Sequence, residues 1–374
     1  MEPIDHPFLD SASELENPYL RQAKINGKKI IGYFCSYLPR ELLDAGGLAP
    51  FRMRASNTTL TEVADTYLGV VNCSYTRCLL EAMLNDTLDF VDGYAFVASC
   101  DHLRRLYDNL RYLLNPQLCH ILDLPHKMHE DAVDWYTQEL EMLRARIVNA
   151  LGVSVAEEQI EESIRRTNEL RQMLRLIQEL RKGPDPKLTG EEMHRIMIAV
   201  NSTPADAALK ALKEIYPKLE ARRATPVHRA RLLIMGSQMD DSAYIAAMEQ
   251  MGALIVGEAF CEGPIQFMDM VEEDGAPMTA LAKRYLRKLS CPRMFEAFDE
   301  RYDRVVNAFK EYQADGIVLA TMKFCDTWGI DAPLFINRLR DQGIQVLRLE
   351  REYTLGGVGQ LRTRVQAFIE MLGR

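Results

Sequence analysis

Two segments far apart in the chain read almost alike, and they restrict the fold more than any other feature. Ala314 to Asp326 is ADGIVLATMKFCD, and Val91 to Asp101 is VDGYAFVASCD. Each follows an Asp-Gly turn with an unbroken apolar run and ends on a cysteine and an aspartate. A short apolar run bounded by turn residues is the pattern of a buried parallel strand. Parallel strands need crossover helices, so the chain should be an α/β protein. In open α/β sheets, ligands bind outside the carboxyl ends of the strands. Cys100 and Cys325 stand at those ends, and we expect them to face each other across a cleft between two α/β units.

The remaining pattern supports two such units. Lys28–Cys35 (KKIIGYFC) reads as a strand, Pro39 suits the first turn of a helix over Arg40–Ala45, Gly46-Gly47 ends it, and Leu48–Met53 is the next strand. Phe90–Cys100 and Cys119–Leu124 complete a first set. The plan repeats with strands at Arg229–Gly236, Ala253–Phe260, the 314–326 run and Ile344–Leu349. Between the sets, Met128 to Leu180 is helical throughout, with apolar residues at three and four from Leu140 to Ile177, and Thr189 with Glu192 forms a capping box for a further helix. The predicted fold is α/β: two doubly wound, Rossmann- or flavodoxin-like parallel-sheet domains joined by a helical segment. Its divisions are a loose arm or short helix over 1–24, a first α/β domain over 25–125, a helical connector over 126–225 and a second α/β domain over 226–374. A length of 374 residues suits two domains at about 150 residues each.

Composition bears on function mainly by exclusion. A net charge of -9 argues against a nucleic-acid binder, which would show a basic face. No run approaches the ~18 apolar residues of a membrane span, and the acidic start MEPIDHPFLD is no secretory signal. The expected compartment is the cytoplasm, where thiols stay reduced. The eight cysteines should then be ligands, catalysts or core residues, and with no CxxC pair a zinc ribbon is not expected.

Cys73 joins the two strand-end cysteines. It stands just before a helix over Tyr75–Leu84, with Ser74 as the cap, where exposed N–H groups and the macrodipole favour a thiolate. Three thiolates converging on one point would make a metal site with room for something else. Thiolates select iron–sulfur clusters, zinc or copper(I). A cubane normally takes four cysteines, so three would leave one iron open. The alternative of three buried core cysteines stands beside this reading, because free cysteine is among the most buried residue types. Cys261 falls at the carboxyl end of its strand, also near the cleft. Cys78, inside the helix, and Cys119, at the opposite strand end, read as packing. Ser36, Tyr37 and Glu41 follow the first strand and are expected to point into the cleft, with Ser36 and Glu41 as candidates for orienting substrate or cluster. Otherwise Glu41 is simply first-turn helix charge. His129 and His194 stand alone on helices and read as surface or core.

Five segments resemble the 2-hydroxyacyl-CoA dehydratase and benzoyl-CoA reductase family: IGYFCSYLPRELLDAGGLAPFRM (31–53), NCSYTRCLLEAML (72–84), DFVDGYAFVASCDHLRRLYDNL (89–110), GIVLATMKFCDTWGIDAP (316–333) and LEREYTLGGVGQLRTRVQAFIEML (349–372). The order is preserved over nearly the whole chain. The resemblance implies two related subunits, each with two α/β domains and a [4Fe-4S] cluster between them, held by Cys73, Cys100 and Cys325. It implies an acyl-CoA substrate and an ATP-dependent iron–sulfur activator that delivers one electron. With no GxxxxGK[ST] run, this chain is not that activator. In a dehydratase, the electron turns the thioester into a ketyl radical that expels the hydroxyl. In an aryl reductase, it enters the ring. The family's two subunits differ in role, one cluster meeting substrate and the other relaying electrons. A further relative is a homodimer with a double-cubane [8Fe-9S] cluster, for which Cys261 and Cys291, in the loop Ser290-Cys291-Pro292, would be the extra ligands. The dehydratase iron–sulfur subunit is the first expectation, with the aryl-CoA reductase, the double-cubane reductase and the non-catalytic relay as alternatives.

Overall fold

The structure, a computed structural model, describes residues 4–223, 225, 228–288, 291–354, 356 and 358–373. The expectation for Ser290 falls outside that set. Strands β1 (Ile30–Tyr33), β2 (Ala49–Arg52), β3 (Gly93–Val97) and β4 (Cys119–Leu122) form one parallel sheet in the order β2-β1-β3-β4. Strands β5 (Ala230–Gly236), β6 (Ala253–Ala259), β7 (Gly316–Met322) and β8 (Val346–Arg351) form a second in the order β6-β5-β7-β8. The fold is α/β with two domains. In each sheet the strand order reverses beside the first strand, so the crevice between β1 and β3, and that between β5 and β7, is a topological switch point where an open sheet takes its ligand.

Helices α1 (Pro7–Asp10) and α2 (Pro18–Ile25) precede the first sheet, α3 (Arg40–Ala45), α4 (Ser74–Leu84) and α5 (Asp101–Leu113) belong to it, and α6 (Glu130–Leu151), α7 (Glu157–Glu179), α8 (Gly190–Asn201) and α9 (Ala205–Glu220) form the helical segment. The second half of the chain adds α10 (Ser242–Glu249), α11 (Pro277–Leu286), α12 (Phe298–Glu311), α13 (Asp326–Asp341) and α14 (Val358–Met371). Among the described residues, no helix is long and apolar enough to cross a membrane.

Two expectations need correction. The single helical run over 128–180 is two helices. Gly152, at φ 67°, ends α6, and α7 starts after Ala156. The apolar spacing carries on across the break because Leu140, Leu143 and Ile147 of α6 and Ile160 and Ile164 of α7 pack into one core. The N-terminal arm, expected as loose or as a short helix, takes the helical form, as two short helices rather than one. Phe8 and Leu9 are fully buried against Leu170, Leu174, Met193 and Leu212. Asn17 caps α2 and donates a 2.9 Å hydrogen bond to the Ser202 carbonyl, which ties the arm to the end of α8. Helix α11, late in the chain, packs on α6 in a core shared with one face of the first sheet. That packing brings the segment after it, including Lys288 and Cys291, to the first domain.

One glycine is fixed by this geometry. Gly236 ends β5 at φ 136°, and a Cβ there would lie 1.9 Å from the Ala320 carbonyl oxygen on β7. The two strands meet closely at the switch point of the second sheet, and only glycine permits it.

Candidate functional site

The carboxyl ends of the two sheets enclose a cavity of about 120 Å³. Six of the eight cysteines line it: Cys35, Cys73, Cys100, Cys261, Cys291 and Cys325. Three come from the first half of the chain and three from the second. Cys35 lies just beyond β1, and Cys100 just beyond β3. Cys261 lies just beyond β6, and Cys325 just beyond β7.

Cys73, Cys100 and Cys325 share one local structure. Each is the residue immediately before a helix, at the starts of α4, α5 and α13, with extended φ/ψ. Serine or aspartate at that position would turn its oxygen back onto the helix N–H groups. The three sulfurs make no full capping bond, although the first-turn N–H groups of Thr76 and Leu103 act on Cys73 and Cys100 and lower their thiol pKa values. Three helix N-termini therefore point their partial positive charge toward the cavity, where it favours anionic sulfur. Threonine hydroxyls stand 3.7 Å from Cys73 Sγ (Thr76) and 3.6 Å from Cys325 Sγ (Thr327).

Burial works in the other direction. It pushes the Cys73 thiol up to about 11, with a further rise from Cys325. It pushes Cys291 up to about 12, with Cys35 and Cys325 adding to it. Burial, then Cys73, raises Cys100 well above the ordinary thiol value, and burial, then Glu262, does the same for Cys261. So many thiols together cannot shed their protons unless a compensating positive charge enters with them. A metal group would supply that charge, and thiolate donors suit iron–sulfur clusters, zinc or copper(I). Among the described residues, however, no group of three or more His, Cys, Asp or Glu side chains is arranged around a single ion. Cys73, Cys100 and Cys325, expected to face one another, do line one cavity. The cysteines line the walls of a cavity, which fits a group of several metals, each meeting a different thiolate.

The remaining wall is cationic. Arg52, at the end of β2, donates to Glu262 Oε1 at 2.8 Å and to Ser36 Oγ at 3.1 Å, and its Nη2 stands 3.8 Å from Cys261 Sγ. Lys288 is almost fully buried and donates to the Ser36 carbonyl at 3.2 Å. Burial, with Arg284 nearby, pushes it down to about 7. The Ser36 hydroxyl donates to the Cys261 carbonyl, and the Tyr37 hydroxyl donates to the Lys288 carbonyl at 2.9 Å. Ser36 and Tyr37 do line the cavity, but their hydroxyls fasten the β1 loop to the second half of the chain. His102 completes the ring. Its Nδ1 accepts the Cys73 backbone N–H at 3.1 Å, and its Nε2 lies 3.5 Å from Asp326 Oδ2.

Glu41 does not belong to the site. It is fully buried on α3, paired with Arg171 and accepting from the Tyr285 hydroxyl at 2.7 Å. Burial alone would raise its pKa, but Arg171, Arg284 and Tyr285 outweigh burial and hold it below the usual carboxylate range. The expectation failed because the face of α3 that carries Glu41 turns toward α7, not toward the cleft. Cys78, whose sulfur stands 3.9 Å from the Thr58 carbonyl, and Cys119, at the start of β4, lie outside the cavity. His129 precedes α6. His194 is fully buried, edge-on to Phe260, and among the described residues neither ring nitrogen has a hydrogen-bond partner. Sequence reasoning missed Cys35, Arg52, His102 and Lys288. Only Cys35 carried a usable signal, its place at a strand's carboxyl end.

A second, more open cavity of about 600 Å³ adjoins the first and shares Ser99, Cys100, Asp326 and Thr327 with it. Arg104, His126 and Arg293 line it, with the exposed Phe295 and Ile330.

Comparison with known proteins identifies the family. Residues 35–372 match the one described as 2-hydroxyglutaryl-CoA dehydratase, D-component. The chain belongs to that family. It is 24% identical to the (R)-phenyllactyl-CoA dehydratase beta subunit of Clostridium sporogenes over 98% of this chain and 99% of that one. It is 23% identical to the lactoyl-CoA dehydratase subunit beta of Anaerotignum propionicum, over 92% of each chain. It is 22% identical to a benzoyl-CoA reductase subunit of Thauera aromatica, over 92% of this chain and 91% of that one. As a member of the D-component family, it is an enzyme subunit of the dehydratase or aryl-CoA reductase type.

Proposed function

We propose that this D-component family member is an iron–sulfur redox subunit whose cavity holds a double-cubane [8Fe-9S] group. Cys73, Cys100 and Cys325 would be one set of ligands and Cys35, Cys261 and Cys291 the other. The observation that carries the reading is that six cysteines line one cavity. A single [4Fe-4S] cubane on the first three would leave three half-buried thiols beside it without a role. Such a group, when bound, holds and passes single electrons at low potential. The chain's own residues keep water out with an apolar wall, set three helix N-termini against the sulfurs, and place Arg52 and Lys288 where added negative charge is stabilised. The electrons would come from an ATP-dependent iron–sulfur activator and leave to a substrate or to a partner, either a homologous second subunit or a second copy of this chain. The relatives named as beta subunits support a partner of that kind.

A second reading is the catalytic dehydratase subunit, with one [4Fe-4S] cluster and a 2-hydroxyacyl-CoA bound nearby. In that reading one electron makes the thioester a ketyl radical, which expels the hydroxyl. The outer cavity that reaches Cys100 favours it, because about 600 Å³ suits an acyl group and Arg104 and Arg293 could meet its polar atoms.

Anaerobic purification, alone and with a co-expressed partner, followed by iron and sulfide assay, tests the proposal. About eight iron per chain is expected for the double cubane and about four for the second reading. Cys35→Ala, Cys261→Ala and Cys291→Ala should each lower the iron content, while Cys78→Ala and Cys119→Ser should not. A protein with about four iron that is indifferent to the first three replacements would overturn the double cubane. Absence of iron in both preparations would overturn both readings.

A further inference from the structure

The three helix starts that present Cys73, Cys100 and Cys325 belong to three different helices, and one of them lies in the other half of the chain. A single side chain touches all three regions. His102 is on α5, two residues after Cys100. Its Nδ1 accepts the backbone N–H of Cys73, at the start of α4, from 3.1 Å. Because Nδ1 is the acceptor, the neutral ring carries its proton on Nε2. Nε2 faces Asp326 Oδ2 at 3.5 Å, on the residue after Cys325 at the start of α13. The ring itself is nearly buried, while the Asp326 side chain is well exposed.

We infer that His102 is a positioning residue that sets the Cys73, Cys100 and Cys325 helix starts relative to one another across the interdomain cleft. One arm acts within the first domain, through Nδ1 and the Cys73 amide. The other crosses to the second as a polar contact between Nε2 and the Asp326 carboxylate, 3.5 Å apart. The inference deepens the iron–sulfur reading and rests on it for its functional meaning, although the linkage itself is a property of the protein without iron. The arrangement separates two demands on one ring. Asparagine in its place offers an acceptor near the position of Nδ1 but cannot reach Asp326. Glutamine extends toward Asp326 but gives no acceptor to the Cys73 amide.

The test compares wild type, His102→Asn, His102→Gln and Asp326→Asn. Iron-free, reduced protein is followed first. Amide exchange is read by mass spectrometry on overlapping peptides spanning Cys73, and alkylation of Cys73 and Cys325 by iodoacetamide is timed. The same proteins are then reconstituted and their iron content and electron paramagnetic resonance spectra recorded. A net hydrogen bond of ordinary strength changes such equilibria on the order of fivefold. We expect His102→Gln to lose protection of the Cys73 amide by about that factor and His102→Asn to keep it. We expect His102→Asn and Asp326→Asn both to speed Cys325 alkylation and to broaden the spectrum, with His102→Gln retaining the wild-type Cys325 rate. Asp326 is exposed, so its replacement leaves the fold in place and keeps the second arm testable. The inference is overturned if both histidine variants show wild-type amide exchange and thiol rates, or if, where wild type takes up iron, the spectra of all three iron-loaded variants match it. Wild-type protein that takes up no iron, with the exchange and alkylation differences present, would remove the iron–sulfur reading and leave the positioning role standing.

Discussion

Replacing Gly236 by alanine should damage both stability and the cysteine cavity, and the size of the effect follows from the structure. The residue sits at φ 136°, outside the region an L side chain adopts, which costs about 1–3 kcal/mol. The new Cβ would also lie 1.9 Å from the Ala320 carbonyl oxygen, so the end of β5 must withdraw from β7 by at least about 1.5 Å before ordinary contact is restored. That movement strains the Gly236–Ala320 pairing and the 3.0 Å bond from the Ser237 N–H to the same oxygen, worth roughly 1 kcal/mol for each bond lost. Together these amount to about 3–5 kcal/mol, a large part of the ~5–15 kcal/mol that holds a protein folded. Gly152→Ala is the control. Gly152 also has positive φ, at 67°, but a Cβ there meets nothing within 4 Å, so only the roughly 1 kcal/mol conformational penalty applies. Urea denaturation of iron-free protein measures both. Because Gly236 and Cys325 line the same cavity, Gly236→Ala should also lower iron uptake, and Gly152→Ala should not. Equal destabilisation by the two variants would refute the close-approach argument.

Two further outcomes are expected. Arg181 and Glu258 form a fully buried bidentate pair at 2.6 and 2.7 Å, so Arg181→Met alone should cost about 3–5 kcal/mol by leaving a buried carboxylate unpaired, and a double replacement with Glu258→Leu should recover most of it in a double-mutant cycle. His194 is held down to about 3 by burial, then by Arg351 and Arg181, so the unfolded chain binds the extra proton between pH ~6.5 and about 3. Stability from this group is therefore present above pH ~6.5 and lost as pH falls through that window, by at most about 1.4 kcal/mol per pH unit, and His194→Phe, with Phe260 already edge-on to the ring, should flatten that part of the curve.

Much of the fold could be read from short runs. The apolar strands with turn residues at both ends, and the glycines that close their helices, marked both sheets, because a strand buried on both faces leaves no ambiguity about which side is inward. Cys100 and Cys325 were legible for the same reason, since a residue just past a parallel strand is already at the ligand end. Cys35 obeys that rule as well but was read as the last residue of its strand, whereas β1 stops at Tyr33. Cys291 had no local signal, because its position depends on α11 packing against α6, more than a hundred residues earlier. Arg52, His102 and Lys288 were hidden in the same way, their partners lying far off in the chain. Glu41 misled because a helix turned by one face exchanges a cleft for a core, and its partner Arg171 is 130 positions away.

The three-and-three division of the cysteines has a consequence for the order of events in the cell. Cys35, Cys73 and Cys100 leave the ribosome with the first sheet, and Cys325 follows Cys100 by 225 residues. At synthesis rates of about 5–20 residues per second, that interval lasts roughly 10–45 s. Throughout it the strand end that carries Cys325 has not been made, and for most of it neither has α11, which packs in the first sheet's core. A nascent chain in that state is exposed to stray metals and oxidants that the finished cavity shuts out. Loading of the proposed iron–sulfur group would therefore belong after translation, when the second sheet has closed over the first, and the group would then fasten the two halves together from the inside.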